Sequence, residues 1–232
     1  MLWDLPRALS SFASDIDRHM ALIYWICGIW FLVAEAVLLW LAVRYRQSAH
    51  AAAGWLPGDT RSTNAWVLVP AALVLVCDMV IEFDSAVVWA KVKETTPPAE
   101  LTVRVQGRQF AWVFTYPGPD AKFDTLDDIT AAGTLRVPVG KVVKFELEAA
   151  DVLHAFYVPE LRLKQDAVPG RRIPGWFDVL QPAELTIACA ELCGASHTYM
   201  KGTLLALPPA EFDQWLAAQS APPPSTPPTA TR

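Results

Sequence analysis

The sequence has no Cys-x-x-Cys-His motif, so it offers no attachment site for a c-type haem. It also lacks a phosphate-binding glycine loop, a catalytic-triad pattern and a basic patch suited to nucleic acid. Only four cysteines occur in 232 residues, and two of them lie inside apolar runs, so they do not form a disulfide framework. These absences argue against nucleotide hydrolysis, triad chemistry and nucleic-acid binding.

Hydrophobic residues are abundant instead, at 53% of the chain, with a mean hydropathy of +0.26. The excess lies in two runs, at about 21–43 and 65–88, each long enough to cross a bilayer as a helix. The first run is too long for a signal peptide, and acidic rather than basic residues precede it. We therefore predict that residues 1–96 form an N-terminal tail and a transmembrane helical hairpin.

Polar groups inside the predicted spans admit two interpretations. Glu35 and Asp78 could border a proton path in a partner, or could be paired at a contact between helices. Cys27 and Cys77 are interpreted as small packing residues.

The pattern changes near Pro97, where short alternating apolar segments separated by Pro and Gly turns begin. Residues 97–219 are predicted to form a Greek-key β-sandwich ending in a short amphipathic helix. Residues 220–232, rich in Pro, Ser and Thr, are predicted to be a disordered tail. The predicted fold class is thus an α+β membrane protein.

One short loop carries the strongest chemical signal, because Cys189, Cys193, His197 and Met200 follow each other at C-x3-C-x3-H-x2-M spacing. Thiolate and thioether are soft ligands, and imidazole suits copper, zinc and iron. Two thiolates four residues apart can bridge two copper ions if a second histidine, for which His154 is suited, completes the set. The alternatives are a zinc site, which has little use for the methionine, a free thiol pair, and a mononuclear blue-copper site, which needs one cysteine.

This loop resembles the binuclear CuA loop of the cytochrome c oxidase subunit II family. The segments DVLHAFYVPEL (151–161), LKQDAVPGR (163–171) and QGRQFAWVFTYP (106–117) are similar as well. The resemblance covers roughly residues 20–218 and implies a cupredoxin-like CuA domain. It also implies two copper ions held by His154, Cys189, Cys193, His197, Met200 and the carbonyl of Glu191.

The resemblance further implies the role of an oxidoreductase subunit. Such a chain accepts electrons from a c-type cytochrome and passes them to haem in subunit I, where oxygen is reduced to water and protons are pumped. The expected partners are subunits I and III, membrane lipid, and a magnesium or manganese ion shared with subunit I through the Glu191 side chain. The expected location is a bacterial inner membrane with the copper domain in the periplasm, and Arg44, Arg46 and Arg61 between the spans agree weakly with that orientation. Asp166, Arg171 and Arg172 are expected at the interface with the haem-bearing subunit.

Two positions depart from the family pattern. Phe110 stands where the family usually has the tryptophan at which electrons enter, and Trp112 matches the second tryptophan, so both are electron-entry candidates. Thr63 stands where a glutamate often forms a proton-channel entrance. An acidic cluster follows the aromatic segment and consists of Asp120, Asp124, Asp127 and Asp128. It either attracts a basic donor protein or is a solvated loop.

Two other functional classes predict different features of the sequence. A quinol-oxidase-type subunit with a purely structural domain predicts loss of the copper ligands, all of which are present. A membrane-tethered copper carrier would hold Cu(I) with exposed sulfurs and would need neither two spans nor Glu191.

Overall fold

The computed structural model describes residues 5–48, 52, 54 and 58–220. The described residues fall into two compact units. One is Asp15–Glu94, and the other combines the residues before Asp15 with those after Glu94. The predicted disordered tail, apart from Ser220, lies outside the described residues.

The first unit contains helices α1 (Ala13–Arg44) and α2 (Arg61–Trp89), and a π-helical turn, Ala90–Glu94, extends α2. At 1.5 Å per residue, the 32 residues of α1 reach roughly 48 Å. Over their most apolar stretches the two helices have mean hydropathies of 2.3 and 2.1. Both helices are therefore long and apolar enough to cross a membrane.

Three polar contacts join α1 to α2 in antiparallel order. Lys91 Nζ lies 2.6 Å from Asp15 Oδ2, and His19 Nδ1 lies 2.7 Å from Asp84 Oδ2. The third contact is from Trp30 Nε1 to Cys77 Sγ, at 3.3 Å, which agrees with the interpretation of Cys77 as a packing residue. Glu35 and Asp78 are exposed on the helix surfaces, and their roles remain predictions.

Thr63, the predicted departure at the proton-channel entrance, lies in the first turn of α2. Its backbone N–H donates to the side chain of the N-cap residue Thr60 at 3.3 Å. Its local structural role is therefore part of the helix cap.

The second unit is a sandwich of two five-stranded sheets. Its strands are β1 (Leu101–Arg108), β2 (Ala111–Tyr116), β3 (Ile129–Ala132), β4 (Thr134–Pro138), β5 (Val143–Ala149), β6 (His154–Val158), β7 (Leu163–Ala167), β8 (Ile173–Phe177), β9 (Ala183–Cys189) and β10 (Lys201–Leu207). The strand orders are β3-β2-β1-β5-β8 and β4-β10-β9-β6-β7. The long apolar helices and this sandwich confirm the predicted fold class.

Alternating side chains from both sheets form the core of the sandwich. On β5, for example, every second residue from Val143 to Ala149 is buried. Large side chains from the two sheets fill the space between them, including Trp112, Phe114, Phe145, Phe156 and Ile187. This is the period-two burial expected of sheets that pack face to face.

An N-terminal strap (residues 5–12) packs on the sandwich. The Leu9 backbone N–H donates to the Glu160 carbonyl at 2.9 Å. Phe12 is fully buried, with its ring centroid 5.2 Å from that of Trp176. The sequence-based division at residue 96 does not anticipate that the strap belongs to the same unit as the sandwich.

Helix α3 (Pro209–Ser220) packs against β2 and β4 through aromatic contacts. Its Trp215 ring lies 5.1 Å from the Tyr116 ring, and the Arg136 guanidinium sits over Trp215. The Tyr116 hydroxyl donates to the Arg136 carbonyl, which ties strand β2 to β4 beneath the helix. The predicted amphipathic helix therefore covers one part of the sandwich.

Candidate metal centre

The predicted ligands gather at one end of the second sheet. His154 begins β6 and Cys189 ends β9, and these strands are neighbours in which Phe156 pairs with Cys189. Residues 190–200 connect β9 to β10 and carry the remaining predicted ligands. Strand pairing thus brings His154 to a loop that is distant in the sequence.

Two thiols and two imidazoles form a row of contacts. Cys189 Sγ lies 3.8 Å from His154 Nδ1 and 3.8 Å from Cys193 Sγ. Cys193 Sγ lies 3.6 Å from His197 Nδ1. Each thiol therefore has one imidazole and the other thiol beside it. The donor atoms of His154, Cys189 and Cys193 all lie within 4.8 Å of one another.

Two further donors flank this row. Met200 Sδ lies 3.8 Å from Cys193 Sγ, and the Glu191 carbonyl oxygen lies 3.3 Å from Cys189 Sγ. The structure thus brings together all six residues that the sequence predicts as ligands.

Most of these donors are shielded from water. His154 is fully buried, Cys193 is 3% exposed and Met200 is 1% exposed. In contrast, Leu192 and Tyr199 on the same loop are largely exposed. The side chains of His154, Cys193 and Met200 therefore point inward, whereas those of Leu192 and Tyr199 lie on the outer surface of the loop.

Asp151 orients the His154 ring. Its Oδ1 lies 2.8 Å from His154 Nε2, and it also accepts the Val152 backbone N–H at 2.6 Å. With Nε2 engaged by a carboxylate, Nδ1 is the nitrogen that faces Cys189. A carboxylate behind a ligating histidine fixes the ring and raises its basicity as a ligand.

Local hydrogen bonds fold the loop back on itself. The Cys189 N–H donates to the Met200 carbonyl at 3.2 Å, and the His197 N–H donates to the Gly194 carbonyl at 3.1 Å. Gly194 has φ +136°, a conformation that residues with a side chain rarely adopt. This turn lets Cys193 and His197 face the same point.

The chemistry of the donors fits copper. Two thiols, two imidazoles, a thioether and a carbonyl make a soft set with both sulfur and nitrogen. The 3.8 Å between the sulfurs of Cys189 and Cys193 is far longer than the roughly 2.05 Å of a disulfide. It instead leaves room for a metal bound to both sulfurs by bonds of about 2.3 Å.

The surroundings of the Cys193 thiol favour its protonated form. Burial, together with the neighbouring Cys189 thiol, raises the pKa of the Cys193 thiol. A thiol that binds metal must lose its proton, so metal binding at Cys193 releases that proton.

The two electron-entry candidates occupy different environments. Trp112 is fully buried, with its ring centroid 6.1 Å from that of His154 and 5.4 Å from that of Phe156. Phe110 is 36% exposed. Phe110 is therefore the more accessible of the two, whereas Trp112 packs against the ring of His154 inside the sandwich.

Gly107 lies where the rings of His154 and Trp112 approach strand β1. A Cβ atom at this position would lie 3.1 Å from both rings. The glycine therefore allows the two rings to pack closely against the strand. Sequence reasoning did not single out this glycine.

Gln109 is another site residue without a predicted role, although it lies in the aromatic segment 106–117. Its side-chain amide donates to the Cys193 carbonyl at 2.6 Å. The sequence could suggest the residue through its place beside Phe110 but could not reveal the partner, which is 84 positions away.

Of the residues predicted at a subunit interface, Asp166 lies next to the candidate ligand His154, because it pairs with Ala155 between β7 and β6. Arg172 Nε pairs with Glu148 Oε2 at 3.1 Å, and Glu148 also accepts the side-chain amide of Gln106. Asp166 and Arg171 are exposed. Their interface role stays a prediction.

The acidic cluster is largely engaged in its own loop. Asp127 and Asp128 accept the backbone N–H groups of Asp120 and Asp124, respectively. The Arg104 guanidinium also forms a bidentate hydrogen-bonded pair with the Asp124 carboxylate, with distances of 2.7 and 3.2 Å. Donor attraction by this cluster stays a prediction, because these contacts also give the loop a structural role.

Known proteins resemble this chain in sequence. Residues 101–206 match the family model for the cytochrome C oxidase subunit II periplasmic domain. Cytochrome c oxidase subunit 2 of Synechocystis sp. is 43% identical over 123 residues, which are 53% of this chain and 34% of that relative. Alternative cytochrome c oxidase subunit 2 of Bradyrhizobium diazoefficiens is 29% identical, over 88% of this chain and 80% of that relative.

A solved structure is also similar. The periplasmic domain of subunit II of cytochrome oxidase of Bradyrhizobium japonicum is 28% identical, with a TM-score of 0.49. The match covers 54% of this chain and 96% of that structure.

The sandwich, with its sulfur and nitrogen donors at one end, defines a cupredoxin-like domain with a candidate copper site. The two long apolar helices indicate a membrane-anchored protein with an exposed domain. Residues 101–206 belong to the cytochrome c oxidase subunit II periplasmic-domain family, and the chain as a whole is similar to subunit 2 proteins of cytochrome c oxidases.

Proposed function

We propose that this chain is subunit II of a haem–copper cytochrome c oxidase. It accepts electrons from a c-type cytochrome and passes them to haem in subunit I, where oxygen is reduced to water and protons are pumped. The observation that carries the proposal is the row of two thiols between two imidazoles, in a chain that carries a domain of this family.

The centre is proposed to hold two copper ions. Cys189 and Cys193 would bridge them, and His154 and His197 would each hold one ion. Met200 and the Glu191 carbonyl would complete the set, one at each side. Bound there, a copper pair supplies a one-electron carrier whose charge is shared between two ions.

The protein's own contribution is a dry and fixed set of ligands. Burial of His154, Cys193 and Met200 excludes water from most of the centre. Asp151 holds one imidazole, and the loop hydrogen bonds hold the thiols. Ligands that are fixed in advance need little rearrangement when charge changes, which favours rapid electron transfer.

Phe110 is proposed as the contact for the donor cytochrome, since it is exposed close to the ligand loop. Trp112 is proposed to support electron entry from behind His154, through ring contact rather than docking. The Glu191 side chain is proposed to bind the magnesium or manganese ion shared with subunit I.

The proposed assembly contains subunits I and III in a bacterial inner membrane, with the copper domain on the periplasmic side. The apolar faces of α1 and α2 would contact lipid or these subunits.

Two observations argue against the alternatives. A copper carrier transfers its ion through exposed sulfurs, whereas Cys193 and Met200 are almost completely buried. A quinol-oxidase-type subunit has no need for copper ligands, yet this chain retains a full set.

The test is to purify the assembly from membranes through a tag on this chain. Copurification of a haem-bearing subunit, and oxygen uptake driven by reduced c-type cytochrome, are expected. Replacing Cys193 by serine should abolish cytochrome-driven oxygen uptake while the haem-bearing subunit still copurifies. Uptake unchanged by Cys193→Ser, or driven by quinol alone, would refute the proposal.

A further inference from the structure

The turn between β1 and β2 contacts both segments that carry the candidate ligands. The Gln109 backbone N–H donates to Asp151 Oδ2 at 2.7 Å, and its side-chain Nε2 donates to the Cys193 carbonyl at 2.6 Å. One residue therefore binds the segment before His154 and the loop that contains Cys193.

The first of these bonds acts on a histidine. The Asp151 carboxylate receives Gln109 on Oδ2 and His154 on Oδ1. A carboxylate held from both sides has fewer orientations available to it than one held only by the imidazole. Gln109 thus helps fix the group that orients His154.

The second bond acts on a thiol-bearing residue. Two backbone hydrogen bonds, from Cys189 N–H to Met200 and from His197 N–H to Gly194, fold the loop on itself, and a third, from Ala190 N–H to Ala155, joins it to β6 of the same sheet. The Gln109 amide instead ties Cys193 to the opposite sheet of the sandwich, because β1 and β2 belong to the first sheet and β9 and β10 to the second.

The space occupied by the Gln109 amide is created by a glycine. A Cβ on Gly194 would lie 2.8 Å from Gln109 Nε2 and 3.1 Å from the Phe110 ring. The absence of a side chain at position 194 thus lets the turn approach the loop. Strand pairing fixes the turn itself, since Arg108 pairs with Ala111.

We propose that Gln109 is a positioning residue that sets the spacing between Cys193 and His154, the two sides of the centre. The inference rests on the proposed copper function, because it concerns ligands of that metal. Loss of a group that orients metal ligands typically weakens metal affinity by about 10- to 100-fold. We expect loss of the amide donor to act in that range.

The test compares Gln109→Met with Gln106→Met in the full-length chain, purified in detergent and loaded with copper. Methionine keeps the length of glutamine but cannot donate a hydrogen bond. Gln106 is a matched control, because its amide donates to Glu148, away from the ligands. A second variant, Gln109→Glu, keeps the shape and replaces the donor by a carboxylate.

Three quantities are measured: the rate of copper loss to a chelator, the copper hyperfine splitting, and the melting temperature of the metal-free chain. Both Gln109 variants should lose copper about 10- to 100-fold faster than the wild type, with altered hyperfine splitting. Gln106→Met should match the wild type in copper loss and splitting. The metal-free melting temperatures of all variants should be similar.

Copper loss and hyperfine splitting equal to those of the wild type would overturn the inference. A fall in metal-free melting temperature without a spectral change would also overturn it, because Gln109 would then serve only stability. Failure of the wild type to bind copper would overturn the proposed function and the inference with it.

Discussion

Asp151 and His154 form a hydrogen-bonded pair in which Oδ1 of the carboxylate lies 2.8 Å from Nε2 of the imidazole. The ring is fully buried, and its other nitrogen, Nδ1, faces Cys189. This pair determines which nitrogen faces Cys189 and the proposed copper centre, because Nε2 is already engaged by Asp151.

Replacing Asp151 by asparagine should therefore weaken copper binding by about 10- to 100-fold, since an amide has one acceptor oxygen and cannot accept on both the Oδ1 and the Oδ2 side. Competition with a chelator of known affinity measures the loss. Asp213→Asn, at an exposed aspartate of α3, is the control and should leave the affinity unchanged. Equal affinities for the two variants would show that the carboxylate does not support the ligand.

We expect replacement of the buried residue Phe12 to lower the stability of the sandwich. Its ring is fully buried against Trp176, so Phe12→Ala should destabilise the sandwich by about 3 kcal/mol through loss of packing. Denaturant unfolding followed by tryptophan fluorescence measures the change. Leu5→Ala, at a residue 53% exposed on the same strap, is the control and should cost much less. Similar values for both would mean that the strap does not contribute to the fold.

Asp124 predicts a pH dependence of stability. The hydrogen bond from Arg104 holds the pKa of Asp124 below its ordinary value of 3.8. The folded state thus favours the ionised carboxylate, and this preference adds to the free energy of unfolding. The added stability is present above about pH 3.8 and is lost as the pH falls through the lower pKa of the folded state. The melting temperature of Asp124→Asn should be lower than that of the wild type at neutral pH. The difference should disappear at pH values below the folded-state pKa of Asp124. A difference that persists there would contradict the assignment to ionisation.

We expect replacement of Phe110 to change the rate of reduction by the donor while the copper site stays intact. If it contacts the donor, Phe110→Ala should slow reduction by a c-type cytochrome by about 5- to 30-fold, as loss of an aromatic contact does at an interface. The copper spectrum should not change, since the ring is not a ligand. Stopped-flow reduction tests this, with Leu180→Ala as the control, at an exposed residue that precedes β9, whose opposite end carries Cys189. An unchanged rate for Phe110→Ala would place the docking contact elsewhere.

The sequence was sufficient where the chemistry lies within short motifs. The C-x3-C-x3-H-x2-M spacing predicted one cluster, and His154, Cys189 and Cys193 are brought together as expected. The two apolar helices were also predictable, because length and hydropathy alone decide that a helix can span a bilayer.

Contacts between distant segments could not be predicted in the same way. The sequence of the strap contains no pattern that indicates its partners. The Leu9 backbone N–H donates to the carbonyl of Glu160, which is far away in the sequence. The hydrogen bond from Gln109 to Cys193 could not be predicted either, because it depends on how the two sheets face each other. The burial of Trp112 likewise follows from packing between the sheets.

The central claim is that Cys189 and Cys193 hold two copper ions that share one electron. The most direct measurement is elemental analysis of the purified chain combined with electron paramagnetic resonance. Two copper ions per chain are expected, with the seven-line hyperfine pattern produced by one electron shared equally between two copper nuclei. A single metal ion, bound zinc, or the four-line pattern of one isolated copper would contradict the account.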